Sequence, residues 1–170
     1  MAYYNRKHIR LKNYDYSQCG YYYVTIHTAN NEYTLSTVGR GLAPASYEIK
    51  LTETGKVAEQ QLFALEERFK GVQIDKYVIM PNHIHVVIII GESVTSVEEA
   101  GASPRPTLSD IVCAYKSITT RICNKNDNIQ GRKIFQTSFY ESIIRNEKAY
   151  HSILNYIENN PLKWIIDNLI

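Results

Sequence analysis

The order of elements points to an α+β chain, an antiparallel β-sheet with helices packed on it. Strand-like runs recur at 21–28, 33–38, 47–51, 73–80, 83–90 and 138–144, and helical apolar spacing recurs at 53–69, 108–124 and 147–160. The runs 73–80 and 83–90 are separated only by Pro81-Asn82, a hairpin-length gap that makes them antiparallel neighbours. At 170 residues the chain is expected to be one domain. A chain of that length buries roughly 70% of its unfolded surface without needing staples.

Each element has its own warrant. The run 21–28, YYYVTIHT, is aromatic and β-branched, as strands are. Gly39, Gly41 and Pro44 punctuate the gap between the short runs 33–38 and 47–51. Thr52 is a plausible cap for the helix 53–69, where Val57, Leu62, Leu65 and Phe69 sit at spacings suited to one face. Proline cannot take a positive φ, so Pro81-Asn82 fits a type I or II turn rather than the mirror-image type. The stretch 91–106, GESVTSVEEAGASPRP, has no apolar period and reads as a loose insert. Thr107 or Ser109 is expected to cap the helix 108–124, with Ile111, Ala114, Ile118 and Ile122 on one stripe. The helix 147–160 is expected to stop at Pro161.

Composition excludes several classes. Lys plus Arg is 19 and Asp plus Glu is 17, a net +2, so this is neither an acidic disordered chain nor a histone-like one. The three cysteines, Cys19, Cys113 and Cys123, show no CxxC spacing, so reduced and mostly buried thiols are expected rather than a disulfide scaffold or zinc ribbon. The opening residues MAYYNRKHIR lack the apolar stretch of a secretory signal, and no aliphatic run approaches a membrane span. A soluble, cytoplasmic protein is expected.

Charge is unevenly placed. Residues 1–12 hold Arg6, Lys7, Arg10 and Lys12 and no acid. Residues 107–133 hold Lys116, Arg121, Lys125, Arg132 and Lys133 against Asp110 and Asp127. The insert is acidic, with Glu92, Glu98 and Glu99. Two basic segments in a nearly neutral chain are a candidate footprint for phosphates. The tyrosine count is also high, 14 against 4 Phe and 1 Trp. Tyr3, Tyr4, Tyr14 and Tyr16 are candidates for stacking on unpaired bases, whereas Tyr21, Tyr22 and Tyr23 belong to a strand.

The strongest chemical signal is His83-Ile84-His85. Strand alternation puts both imidazoles on one face, roughly 6–7 Å apart along the strand. Two buried polar rings on an aliphatic strand need partners or a metal. The longer HxHxDH run of metallo-hydrolases is absent, because Val86 and Val87 follow, and no HExxH helix occurs. A third ligand has to come from elsewhere. In the last helix Tyr156 and Asn160 are four apart and share a face. An amide oxygen can ligate a cation, and a tyrosine one turn earlier presents its hydroxyl to the same place.

The strings YVIMPNHIHVVI, SFYESIIRNE and YIENNPLKW, in that order, resemble the single-tyrosine HUH transposases. The resemblance is closest to the REP-associated tyrosine transposases and extends over about 8–165. It implies a ferredoxin-like HUH endonuclease fold and a bacterial protein that cleaves and rejoins single-stranded DNA at or near hairpins. On it, Tyr156 is the nucleophile, forming a 5′-phosphotyrosine link, and His83, His85 and Asn160 hold a divalent metal ion, Mg²⁺ or Mn²⁺. Mobile insertion-sequence members usually have Gln at the third-ligand position, so Asn160 points to the REP-associated branch. Arg6, Lys7, Arg10, Lys12, Lys116, Arg121, Arg132 and Lys133 are the candidate DNA contacts. Tyr150 lies off the Tyr156 face, against a two-tyrosine mechanism. A monomer or homodimer is expected, with monomer favoured. Two other readings stay open: a non-catalytic hairpin binder on the same fold, and a phosphohydrolase of small nucleotides using the two histidines alone.

Overall fold

A computed structural model describes residues 18–41, 46–92 and 106–168. The basic arm with Arg6, Lys7, Arg10 and Lys12, its tyrosines, and most of the 91–106 insert lie outside the described residues. In chain order the elements are β1 (Gly20–His27), a 3₁₀ turn (Ala29–Asn31), β2 (Ser36–Arg40), β3 (Tyr47–Leu51), α1 (Glu53–Arg68), β4 (Val72–Ile79), β5 (His83–Ile90), α2 (Leu108–Asn126), β6 (Tyr140–Ile144) and α3 (Glu147–Asp167). Four strands form one sheet in the order β4-β5-β1-β6, with every neighbouring pair antiparallel. With the β2-β3 hairpin set aside, this is the β-α-β-β-α-β ferredoxin-like arrangement.

Alternation along the strands gives the sheet two covered faces. Tyr22, Val24 and Ile26 of β1 and Ile84, Val86 and Ile88 of β5 point into a core with Leu62 and Leu65 of α1 and Ile111, Val112 and Tyr115 of α2. Val78, Val87 and Ile144 point the other way, against Ile157, Ile153 and Trp164 of α3 and Val38 and Ile49 of the small hairpin. Fully burying an aliphatic side chain of this size is worth about 1.5–3 kcal/mol.

Local chemistry sets the helix starts. The Thr52 hydroxyl accepts from the Gly55 amide at 3.0 Å, and Thr107 caps α2 in a reciprocal box with Asp110. Gly55 allows the first turn of α1 to press on β2's approach, since a Cβ there would lie 1.9 Å from the Leu35 carbonyl oxygen. The α2 stripe differs from the expected one: Ile111 is joined by Leu108, Val112, Tyr115, Thr119 and Cys123, while Ala114, Ile118 and Ile122 are only half-buried. Tyr115 can hold the centre because its hydroxyl donates to the Ala58 carbonyl at 3.1 Å. The thiols also depart from expectation, with Cys19 and Cys113 exposed, Cys123 buried, and none in a disulfide.

The largest departure concerns Pro161, because α3 runs through it to Asp167. Proline has no N–H to give the Ile157 carbonyl. That loss is offset by burial of Ile157, Asn160 and Pro161 on the sheet and by Trp164, whose ring packs on Tyr33 with centroids 5.3 Å apart. The Asn168 side chain then donates to the Trp164 carbonyl at 2.8 Å and closes the helix. Among the described residues no helix is long and apolar enough to cross a membrane.

Candidate active site

The β4-β5 turn is anchored before the histidines begin. Met80 donates to the His83 carbonyl at 2.8 Å, Leu35 to the Pro81 carbonyl at 3.0 Å, and Thr28 to the Asn82 carbonyl at 2.9 Å. Asn82 has no positive φ, which excludes the type II alternative. The register pairs Thr25 with His85 and His27 with His83. Antiparallel partners share a face, so Tyr23, Thr25 and His27 join His83 and His85 on the side that carries α3. Together with Tyr140, Ser152, Ile153 and Tyr156 they line an open cleft of about 660 Å³.

The imidazoles lean together, with ring centroids 4.6 Å apart, closer than the backbone repeat along the strand. The Nδ1 of His83 lies 2.7 Å from the Asn82 side-chain oxygen, which only accepts, so Nδ1 carries the proton and Nε2 keeps its lone pair. The Nδ1 of His85 lies 2.7 Å from the Tyr23 hydroxyl and 2.9 Å from the Thr25 hydroxyl, while its Nε2 faces the Asn160 amide nitrogen at 3.4 Å. An amide N–H can only donate, so that Nε2 also keeps its lone pair. Burial first, and then the neighbouring His27, push His83 down to about 4. Burial first, then His83 and His27, push His85 down to about 3. Both rings are neutral near pH 7, the state a metal requires.

Asn160 is buried and packs on this pair from α3. Four residues earlier Tyr156 stands over the cleft, 45% exposed, its ring centroid 5.2 Å from that of His85. Tyr156 and Asn160 thus meet the histidines of their own chain. Tyr150 points elsewhere, donating to Asp75 at 2.7 Å. Among the described residues no three His, Cys, Asp or Glu side chains are grouped to hold a metal. Two neutral imidazoles with inward Nε2 atoms and a carboxamide nevertheless fit a divalent cation of imidazole and oxygen preference.

Among the described residues the basic candidates are not gathered at the cleft. Lys116 and Arg121 sit on α2, against the opposite face of the sheet. Lys116 donates to the Thr137 carbonyl at 2.7 Å. Arg132 forms an ion pair with Asp127 and donates to Asn124. Arg121 and Lys133 are exposed, and Lys133 adjoins Ile134, whose carbonyl accepts from Ala29 just past β1 at 2.8 Å. Sequence reasoning missed His27, Thr25, Tyr23 and Tyr140 as lining residues. The alternation within 21–28 was available, but not which strand lay beside it.

The family described as Transposase IS200 like matches residues 48–160, a span that contains His83, His85, Tyr156 and Asn160. An uncharacterised protein of Haemophilus influenzae is 34% identical over 177 residues, covering 97% of this chain and 93% of that one. A solved structure of a REP-associated tyrosine transposase bound to a REP hairpin has a TM-score of 0.61 at 20% identity, covering 96% of this chain and 74% of the other.

Proposed function

Because the chain belongs to the IS200-like transposase family, we propose that it is a metal-dependent single-stranded DNA endonuclease and strand transferase acting at or near hairpins. One observation carries the reading: Tyr156, one helical turn before the buried Asn160, stands 5.2 Å ring to ring from a histidine whose Nε2 keeps its lone pair. His83, His85 and Asn160 would hold the cation. When bound, a divalent cation there supplies Lewis-acid polarisation of a phosphate oxygen.

The chain's own residues do the rest. The Tyr156 oxygen attacks phosphorus, the bond to the 3′ oxygen breaks, and a 5′-phosphotyrosine ester remains. The 3′ oxygen leaves with a proton, and the tyrosine proton passes to water in the open cleft. A 3′-hydroxyl re-enters by the reverse path. The ester conserves the bond energy, and no Walker-type GxxxxGK[ST] occurs in the chain. The Tyr23 and Thr25 hydroxyls fix the His85 ring, and the Asn82 amide fixes His83, so neither ring turns its lone pair away.

The substrate form is taken from chemistry and from the structural relative, which holds a hairpin. Arg121 and Lys133, with Arg6, Lys7, Arg10 and Lys12 of the N-terminal segment, are the proposed phosphate contacts, whereas Lys116 and Arg132 are held by Thr137 and by Asp127 and Asn124.

The test is covalent capture. Wild-type protein, Mn²⁺ and a pool of hairpin oligonucleotides with single-stranded flanks should yield a denaturant-resistant adduct. Tyr156→Phe should abolish the adduct while hairpin binding survives. An adduct persisting in Tyr156→Phe places the nucleophile elsewhere. Binding that ignores EDTA, with no adduct on any hairpin, makes the chain a non-catalytic binder. Turnover of free nucleotide without Tyr156 makes it a phosphohydrolase.

A further inference from the structure

His27 lies in the same cleft, on the strand next to the two histidines, and none of the steps above uses it. It is the register partner of His83, and the two ring centroids are 5.5 Å apart. Its Nδ1 is sealed inside the protein and meets no hydrogen-bond partner. The ring itself is half-buried and lines the cleft. With Nδ1 enclosed, the accessible part of the ring is the part that carries Nε2.

A neutral imidazole has one proton for two nitrogens. Placing it on Nδ1 would bury an N–H with no acceptor, the costlier of the two ways to leave a polar atom unpaired. Placing it on Nε2 puts the N–H in the cleft, where water or a ligand can accept it. His27 is therefore the inverse of its neighbours. His83 and His85 hold their protons on Nδ1 and offer lone pairs, which suits a cation. His27 offers an N–H, which suits an anion's oxygen.

A phosphodiester drawn toward a cation at His83 and His85 has non-bridging oxygens that only accept. We infer that His27 donates its Nε2 hydrogen to a phosphate oxygen of the bound strand, making it a substrate contact beside the cation ligands. The inference deepens the strand-cleavage reading and rests on it. The chemistry needs no change of protonation, since a neutral ring in this tautomer and a charged ring both donate from Nε2.

Two measurements test it. Long-range ¹H–¹⁵N correlation spectra of the metal-free protein should show His27 protonated at Nε2 and His83 and His85 at Nδ1. On adding the hairpin pool to the Tyr156→Phe protein, the His27 Nε2 proton should shift. In single-turnover adduct formation, His27→Leu should slow the reaction by about tenfold or more, since lost oxyanion donors elsewhere cost 10²–10³. His27→Gln, which restores an N–H at similar reach, should recover most of that rate. Mn²⁺ affinity should be unchanged in both variants. A proton on Nδ1 of His27, an unslowed His27→Leu, or a parallel loss of Mn²⁺ affinity would overturn the inference. A wild-type chain that forms no adduct sinks strand cleavage instead, and the hairpin-induced shift at Nε2 then decides His27 by itself.

Discussion

His85 is surrounded by groups that each constrain its ring: the Tyr23 and Thr25 hydroxyls on Nδ1, the Asn160 amide on Nε2, and His83 at its edge. Burial, and after it the neighbouring His83 and His27, keep it neutral, and the consequence is a pH dependence of stability. An unfolded histidine takes up its proton near 6.5, while folded His83 does so only at about 4 and His85 at about 3. Between those values the unfolded chain binds more protons, so stability falls as pH falls. The contribution is whole above about pH 6.5 and is gone once the pH has dropped through the folded values. Melting curves of EDTA-treated protein should therefore shift steadily down below that pH. A His83→Gln, His85→Gln double variant should flatten the upper part of the slope, before carboxylates begin to titrate. Equal slopes in the variant and the wild type would remove the histidines as the cause.

Gly55 and Trp164 hold two helices in their places by opposite means. Gly55 contributes an absence, because any Cβ there meets the Leu35 carbonyl at 1.9 Å. Gly55→Ala should lower unfolding free energy by roughly 2 kcal/mol, against the usual helical preference for alanine. Denaturant titration reads this directly, and a stabilised variant would show that α1 can shift off β2's approach at no cost. Trp164 contributes a ring that touches Tyr33 and lies 6.0 Å from His83. It pins the part of α3 beyond Pro161, the part a proline is expected to end. Trp164→Ala should destabilise by about 1–2 kcal/mol, since the ring is half-buried, and should speed hydrogen exchange in the last turns of α3. Unchanged exchange there would mean that the buried Pro161 turn is sufficient.

At the scale of the whole sheet, the described residues place His83, His85, Tyr156 and Asn160 on one face, while Lys116 and Arg121 ride on α2, which packs on the other. The cations also divide by occupation. Lys116 and Arg132 have internal partners, whereas Arg121 and Lys133 are exposed. If the exposed pair neutralise phosphates, Arg121→Ala and Lys133→Ala should each weaken hairpin binding and reduce the slope of log affinity against log salt by about one. Lys116→Ala and Arg132→Ala should act mainly on melting temperature. Anisotropy titrations across salt concentrations distinguish the two groups, and an unchanged slope in Arg121→Ala would take α2 out of the DNA path.

The His83–His85 pair, the shared face of Tyr156 and Asn160, the hairpin at Pro81-Asn82 and the α+β class were all legible in the chain. Each follows from a backbone period of two or 3.6 residues, or from a turn too short to do otherwise, and such relations are local. Tyr23 and Thr25, which hold His85, are 62 and 60 residues away from it in the chain. His27 is joined to His83 only by the pairing of β1 with β5. Past Pro161, α3 carries Trp164, whose ring partner Tyr33 lies near the other end of the chain. No local period encodes such neighbours. Strand order and register are settled when apolar faces are buried together over the whole sheet, and it is there that a strand carrying one more histidine became a wall of the cleft.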